Sequence, residues 1–270
     1  MSATARFRRS ALAAAGLCAV VALGATACGP FSDSGSDSGS DSGSHSGSSG
    51  SPKPAGPFAG MSAAQIVDKA VATTKSAKSL TLDLDTKTTD GPVKGSLSTD
   101  VQGQCAGTMT LGATGSADLV RPAGKAVYLR FDEAFLKEQA KGEAPEVQAE
   151  VMRQLKGRWV KTDAKDPDAK DILDMCDLKA LLADFEQDTA GAVKGSETTV
   201  EGRKALTLSI DYRGGEKDTF YVATEGAPHL LRIVTTGGKE PGTVTFSDYD
   251  KPVAAKTPPK KDVVDAKTLG

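Results

Sequence analysis

Histidine, tryptophan and aromatic residues in general are scarce in this chain of 270 residues, which has two His, one Trp and 5% aromatics. Only His229 falls outside the N-terminal low-complexity region, and one His excludes a two-His zinc site; no Cys/His spacing of a metal-ligand set accompanies it. The motifs G-x-S-x-G, S-x-x-K and G-x-x-x-x-G-K-[ST] are missing, which removes the usual signatures of serine hydrolases, acyl-enzyme lactamases and P-loop nucleotide binders. Nothing calls for a cofactor, and the chain reads as a non-enzyme. A Cys–His nucleophilic pair of Cys105 or Cys176 with His229 is the one catalytic arrangement left open by spacing. Positive charge is not in excess either: 33 Lys and Arg face 35 Asp and Glu, giving a net charge of −2. Without Arg6, Arg8 and Arg9 it is −5, so the basic stripe of a nucleic-acid binder is absent.

Long apolar runs are confined to the N-terminus. Arg6, Arg8 and Arg9 precede an uncharged run from Ala11 to about Ala25 built almost entirely of Ala, Val, Leu and Gly. This is the layout of an export signal, too short to span a bilayer comfortably. It closes on Ala25-Thr26-Ala27-Cys28-Gly29, where small residues admit a signal peptidase and the Cys28 thiol is placed to take a diacylglyceryl group. The sequence resembles a lipobox, with Ala25 in place of the usual Leu. Residues 1–27 are therefore expected to be a lipoprotein signal peptide, lipidated at Cys28; the alternative is plain cleavage after the A-x-A site. Arg8-Arg9 alone does not make a twin-arginine signal. Residues 28–57, after Cys28, are mostly Ser, Gly, Asp and Pro, with too little apolar surface to offset ordering entropy. Such a linker has a root-mean-square reach on the order of 30 Å, enough to lift a domain off lipid headgroups. His45, alone in this tract, supplies one ligand where a metal needs three or four.

Cysteine is also sparse. Cys18 leaves with the signal and Cys28 is the lipid site, so an exported domain retains Cys105 and Cys176. An even pair in an oxidising compartment reads as a disulfide, closing a loop whose chain-entropy contribution is on the order of 4 kcal/mol. Two buried free thiols are the alternative.

The remainder, some 200 residues, suffices for one domain. Ser62 caps a helix over Ala63 to about Lys75, with Ile66, Val67, Ala70 and Val71 on one face. Ser79 to Thr86 alternates apolar and polar as a half-buried strand does, and Asp90-Gly91 signals a hairpin. Strands follow at 93–102, 105–111, 115–121 and 125–131. Helix is expected between Asp132 and Leu155, reopened at Pro145, then a short strand at Trp159–Lys161. Asp177 caps a helix carrying Leu178, Leu181, Leu182 and Phe185. Five strands close the pattern at 193–200, 204–212, 217–224, 229–236 and 242–249. Asp163, Asp166, Asp168 and Asp171 cluster around Pro167, but the spacing and glycine of a calcium loop are missing, so a solvated loop is the simpler reading. Strands, a helical insertion and strands again give an α+β fold with a large antiparallel sheet, as a domain over 58–255. Residues 256–270, rich in Lys and Pro, are expected to form a flexible tail.

Several segments resemble a known family. These are the opening helix, the first strand Ser79-Leu80-Thr81-Leu82-Asp83-Leu84-Asp85, Ala117-Asp118-Leu119-Val120-Arg121-Pro122 leading into Val127-Tyr128-Leu129, Trp159-Val160, and Val244-Thr245-Phe246-Ser247-Asp248-Tyr249-Asp250-Lys251-Pro252-Val253. Over roughly Met61 to Pro259 the chain is similar to the LolA-like lipoproteins of high-GC Gram-positive bacteria, the group of LppX- and LprG-type lipid carriers. The resemblance implies an antiparallel half-barrel with helices on its concave face, and a cell-membrane lipoprotein that binds or transfers lipid or another hydrophobic ligand. A cavity would then be lined by Leu80, Leu82, Leu84, Val127, Leu129, Leu206, Leu208, Ile210, Leu231 and Ile233, and covered by Leu181 and Phe185. The same pattern is what ordinary core packing produces in any half-buried sheet. A non-catalytic envelope sensor or adaptor that docks protein partners is the alternative function on the same fold. The expected partners are the membrane, through the anchor, and a lipid ligand; nucleic acid is not expected.

Overall fold

Period-two alternation builds the strands of this domain, which follow one another in two consecutive meanders, the first interrupted by a helical insertion before its last strand. The computed structural model describes residues 56–88, 91–111, 114–124, 126–183 and 189–269. The signal segment, Cys28, the linker up to residue 55 and Phe185 lie outside the described residues.

The first meander comprises β1 (Ser79–Thr88), β2 (Gly91–Asp100), β3 (Cys105–Leu111), β4 (Gly115–Arg121), β5 (Ala126–Phe131) and β6 (Trp159–Asp163). The second comprises β7 (Val193–Val200), β8 (Arg203–Asp211), β9 (Lys217–Ala223), β10 (Leu230–Thr236) and β11 (Gly242–Ser247). They join where β1 pairs antiparallel with β11, Leu82 opposite Phe246 and Leu84 opposite Val244. The result is one open, curved sheet of twelve strands, ordered β12-β6-β5-β4-β3-β2-β1-β11-β10-β9-β8-β7. Helix α1 (Ala63–Lys75) lies between the linker and β1, α2 (Glu133–Gln139) and α3 (Pro145–Leu155) between β5 and β6, and α4 (Lys170–Met175) and α5 (Leu178–Ala183) between the meanders.

Two features differ from expectation. β12 (Val263–Asp265) is built from the supposed flexible tail and pairs parallel with β6, Val264 opposite Val160. Lys161 Nζ meets Asp265 at 3.4 Å, and Ala266 and Leu269 pack against Leu136, Leu155 and Val160. Only three strand residues bracketed by Lys and Pro are involved, so composition hides them; the unpaired edge of β6 and the apolar patch beside it supply what the tail lacks alone. The domain therefore extends to residue 269, and the sheet is antiparallel except at this pair. Helix α4 also appears where a solvated acidic loop is expected. Its Ile172, Leu173 and Met175 pack on the sheet.

Local chemistry starts the helices as read. Ser62 Oγ accepts from Gln65 N at 3.2 Å while Ser62 N donates to Gln65 Oε1 at 2.8 Å, a reciprocal capping box. Asp177 Oδ1 accepts from the amides of Lys179 and Ala180 at the start of α5. Among the described residues no helix is long and apolar enough to cross a membrane.

All helices take the same face. Leu82 pairs with Leu97, Leu97 with Gly107, Gly107 with Leu119, Leu119 with Leu129, and Leu129 with Val160. Directly paired residues project to one side of a sheet, so the cluster under α1 and α5, the cluster under α4 and the cluster under α2 and α3 are neighbours on a single surface. That surface is the concave one.

Candidate functional site: an apolar row beneath the helices

Two adjacent rows run across the concave face and differ in how well they are covered. The upper row holds Phe246, Leu82, Leu97 and Leu119, all buried. One pleat repeat further along the strands, the registers align Ile233 with Val244, Val244 with Leu84, Leu84 with Gly95 and Gly95 with Met109. Ile233 is buried, whereas Val244, Leu84, Gly95 and Met109 are each half-buried. Strands lie about 4.8 Å apart, so these four residues make an apolar strip roughly 14 Å long. Leu181 of α5 packs against both main clusters, with Ile172 and Leu173 of α4 beside it, and all three are half-buried.

Gly95 in the strip and Gly107 in the buried row, between Leu97 and Leu119, both sit against close neighbours. A Cβ on Gly95 would stand 2.9 Å from the Thr108 carbonyl oxygen, and one on Gly107 would stand 2.2 Å from that of Ser96. The neighbouring strands thus come too close for a side chain at either position, and Met109 and Leu97 fill the space beside them.

The expected lining residues divide into three groups. Leu80, Leu82, Val127, Leu208, Ile210 and Ile233 are on the concave face but buried against other side chains, as core. Leu84, Leu129, Leu206 and Leu181 are on the same face and half-buried. Leu231 belongs to neither: it packs with Val200, Ala205, Ala223 and Tyr221 on the opposite face. The cause is a register shift between Leu230 and Arg232 against β9, which puts Leu230 on the concave side opposite Val222 and turns Leu231 away. The cover residue Phe185 lies outside the described residues. Sequence reading missed Met109, Val244, Ile172 and Leu173; period-two alternation through β3 and β11 was the available signal for the first two.

Cys105 and Cys176 are joined in a disulfide, with 5.4 Å between their Cα atoms and 71 residues between them in sequence. Both are fully buried. The bridge fastens the end of α4 to the first residue of β3, and Thr99 Oγ1 donates to the Cys176 carbonyl at 2.8 Å beside it. The Cys–His pair with His229 is therefore not formed. His229 instead stacks on Tyr249, ring centroids 4.0 Å apart. Burial lowers its pKa, and the Arg203 charge adds to the effect.

A separate polar cleft of about 380 Å³ opens near Lys94, Thr110, Ser116 and Asp132. Burial raises the Asp132 pKa, but hydrogen bonds from Phe135 N, Ser116 Oγ and Ser116 N outweigh it and lower the value overall. That carboxylate caps α2 and ties it to β4, which leaves it little to offer a ligand. Among the described residues no three His, Cys, Asp or Glu side chains converge as a metal site would require.

No family model matches the chain, and no curated protein matches it. Among solved structures it is similar to LprF from Mycobacterium bovis, at 15% identity over 73% of this chain and 96% of that one, with a TM-score of 0.48. It is similar also to the Mycobacterium tuberculosis lipoprotein LppX, at 12% identity over 72% and 98%, TM-score 0.43. A third likeness is to the Pseudomonas aeruginosa MucA/MucB complex, at 12% identity over 73% and 61%, TM-score 0.32. These are distant likenesses. Nothing about ligands or partners follows from them.

Proposed function

We propose that this chain is an extracytoplasmic lipoprotein, anchored in the cell membrane through Cys28, whose domain binds the acyl part of a lipid or another hydrophobic ligand. The reading is one of binding, without catalysis. The observation that carries it is the half-buried row Val244–Leu84–Gly95–Met109 lying beside a fully buried one. An acyl chain laid along about 14 Å of strip would remove apolar surface from water on both partners, at about 25 cal/mol per Å². An export signal ending in lipidation at Cys28 would hold such a site next to a membrane.

The test uses the Cys28→Ser chain, exported without its acyl group. Organic extracts of the purified protein should contain co-purifying lipid by mass spectrometry, and a fluorescent acyl probe should bind. Leu84→Gln should weaken the probe about tenfold, since it puts an unpaired amide on the strip. No lipid and no probe binding would sink the carrier reading and favour a protein-docking module. The anchor is checked separately: a clickable palmitate analogue should label the wild-type chain and not Cys28→Ser.

A further inference from the structure

The apolar strip ends at a buried carboxylate. At the end of the sheet where β1 finishes, the registers align Ile210 with Asp218, Asp218 with Thr235, Thr235 with Gly242 and Gly242 with Thr86. These residues form the next row on the concave face, directly beside Phe220, Ile233, Val244 and Leu84. Asp218 is 3% exposed and neighbours Ile210 and Phe220, both buried. Its carboxylate has one side-chain partner among the described residues, the Thr235 hydroxyl, which donates to Oδ1 at 2.6 Å.

A carboxylate offers about four acceptor positions. Thr235 fills one of them, and nothing in the alternation of β9 requires an acid there: an apolar residue would continue the Phe220–Val222 face. At Gly242, between Asp218 and the strip, the Thr86 side chain packs directly onto the backbone. A Cβ there would stand 2.5 Å from Thr86 Cγ2 and 2.6 Å from Thr86 Cα. Two strand spacings separate Asp218 from β11, so the carboxylate lies on the order of 10 Å from the strip's end, within reach of a headgroup whose chain lies along Val244 and Leu84.

We propose that Asp218, braced by Thr235, is the headgroup end of this site, and that the ligand is a neutral amphiphile carrying hydroxyl donors. The inference rests on the lipid-binding reading above. Hydroxyl groups donate to the free lone pairs of Asp218, and a phosphate or carboxylate headgroup is repelled by the same oxygens. One charge-assisted hydrogen bond is enough for about tenfold discrimination.

The experiment loads the Cys28→Ser chain with Nile red and displaces the dye with three amphiphiles sharing one acyl chain: monooleoylglycerol, oleate and oleoyl lysophosphatidic acid. Monooleoylglycerol should displace it at about tenfold lower concentration than either anion. Asp218→Asn and Asp218→Leu should bring the three within about threefold of one another while Nile red affinity is kept. If either variant fails to fold by circular dichroism, Thr235→Val, which removes the brace alone, should narrow the same gap. Equal displacement of the wild type by all three, or variants that leave the gap intact, would overturn the headgroup assignment alone. Failure of the wild type to take up either the dye or any amphiphile would overturn the lipid-binding reading with it.

Discussion

Thr74, His229, Leu230 and Tyr249 form a knot at the end of α1. Leu230 N donates to Thr74 Oγ1 at 3.0 Å, and Tyr249 Oη donates to the Leu230 carbonyl at 2.6 Å. His229 lies flat on the Tyr249 ring, with Nδ1 buried and without a hydrogen-bond partner. Burial disfavours the charged imidazole, so its folded pKa lies below the ordinary 6.5. Unfolded chains then bind the proton more readily than folded ones. The stability contributed by the neutral ring is fully present above about 6.5 and is lost as pH falls through that value toward the folded pKa. Urea denaturation of the wild type should therefore show stability declining from pH 7 to pH 5.5. His229→Phe, which keeps a ring on Tyr249, should flatten that decline; an unchanged slope would show that some other group titrates. In sequence His229 stood out as a lone candidate base, and only its surroundings reveal a packed ring.

At the scale of elements, α4 and α5 are too short to be stable alone. Each has six residues, well under the length at which isolated helices persist in water. Their position depends on Leu178 and Leu182 packing into the main core and on the Cys105–Cys176 bridge. A double Cys105→Ala, Cys176→Ala variant should lose on the order of 2–4 kcal/mol in denaturant titration. Amide exchange should rise first in α4 and α5, ahead of β8 to β10. Alkylation of the unreduced protein should label neither cysteine, and labelling of both would show the bridge is not formed in solution. The capping residues Ser62 and Asp177 made α1 and α5 legible in sequence. Helix α4 had no such signal: Ala169, which precedes it, makes no side-chain cap.

For the whole molecule, what matters is how two meanders become one sheet and how its edges are managed. β1 and β11 are far apart in sequence yet form the central seam, so the apolar strip draws Leu84 and Val244 from opposite ends of the domain. At one edge β12 covers β6, and its following turn inserts Ala266 and Leu269 into the α2–α3 cluster. A chain ending at Pro259 should lose on the order of 2 kcal/mol, roughly 4–8 °C in Tm for a domain of this size. With β6 unpaired it should also self-associate in light scattering, because an uncovered edge invites pairing with another chain. Unchanged melting and a monodisperse truncated protein would show that β12 is dispensable.

Sequence by itself determined the local framework: the presence and order of α1 and β1 to β11, most of their caps and turns, and the apolar sides of most strands, with strand ends displaced by about two residues at β1, β2, β6 and β11. Periodicity and capping act over a few residues, so a chain carries them openly. Tertiary structure alone decided matters that depend on pairing between distant segments. A single-residue register shift turned Leu231 out and Leu230 in, although both read as apolar in sequence. Three residues between Lys and Pro became a strand because β6 had an edge to offer. Asp218, one acid among 35 Asp and Glu, stands apart only once the registers of β8, β9 and β10 set it in a buried row with Ile210 and Thr235. Register is a long-range choice, made by the fit of whole strands against one another, and the candidate site is assembled from such choices.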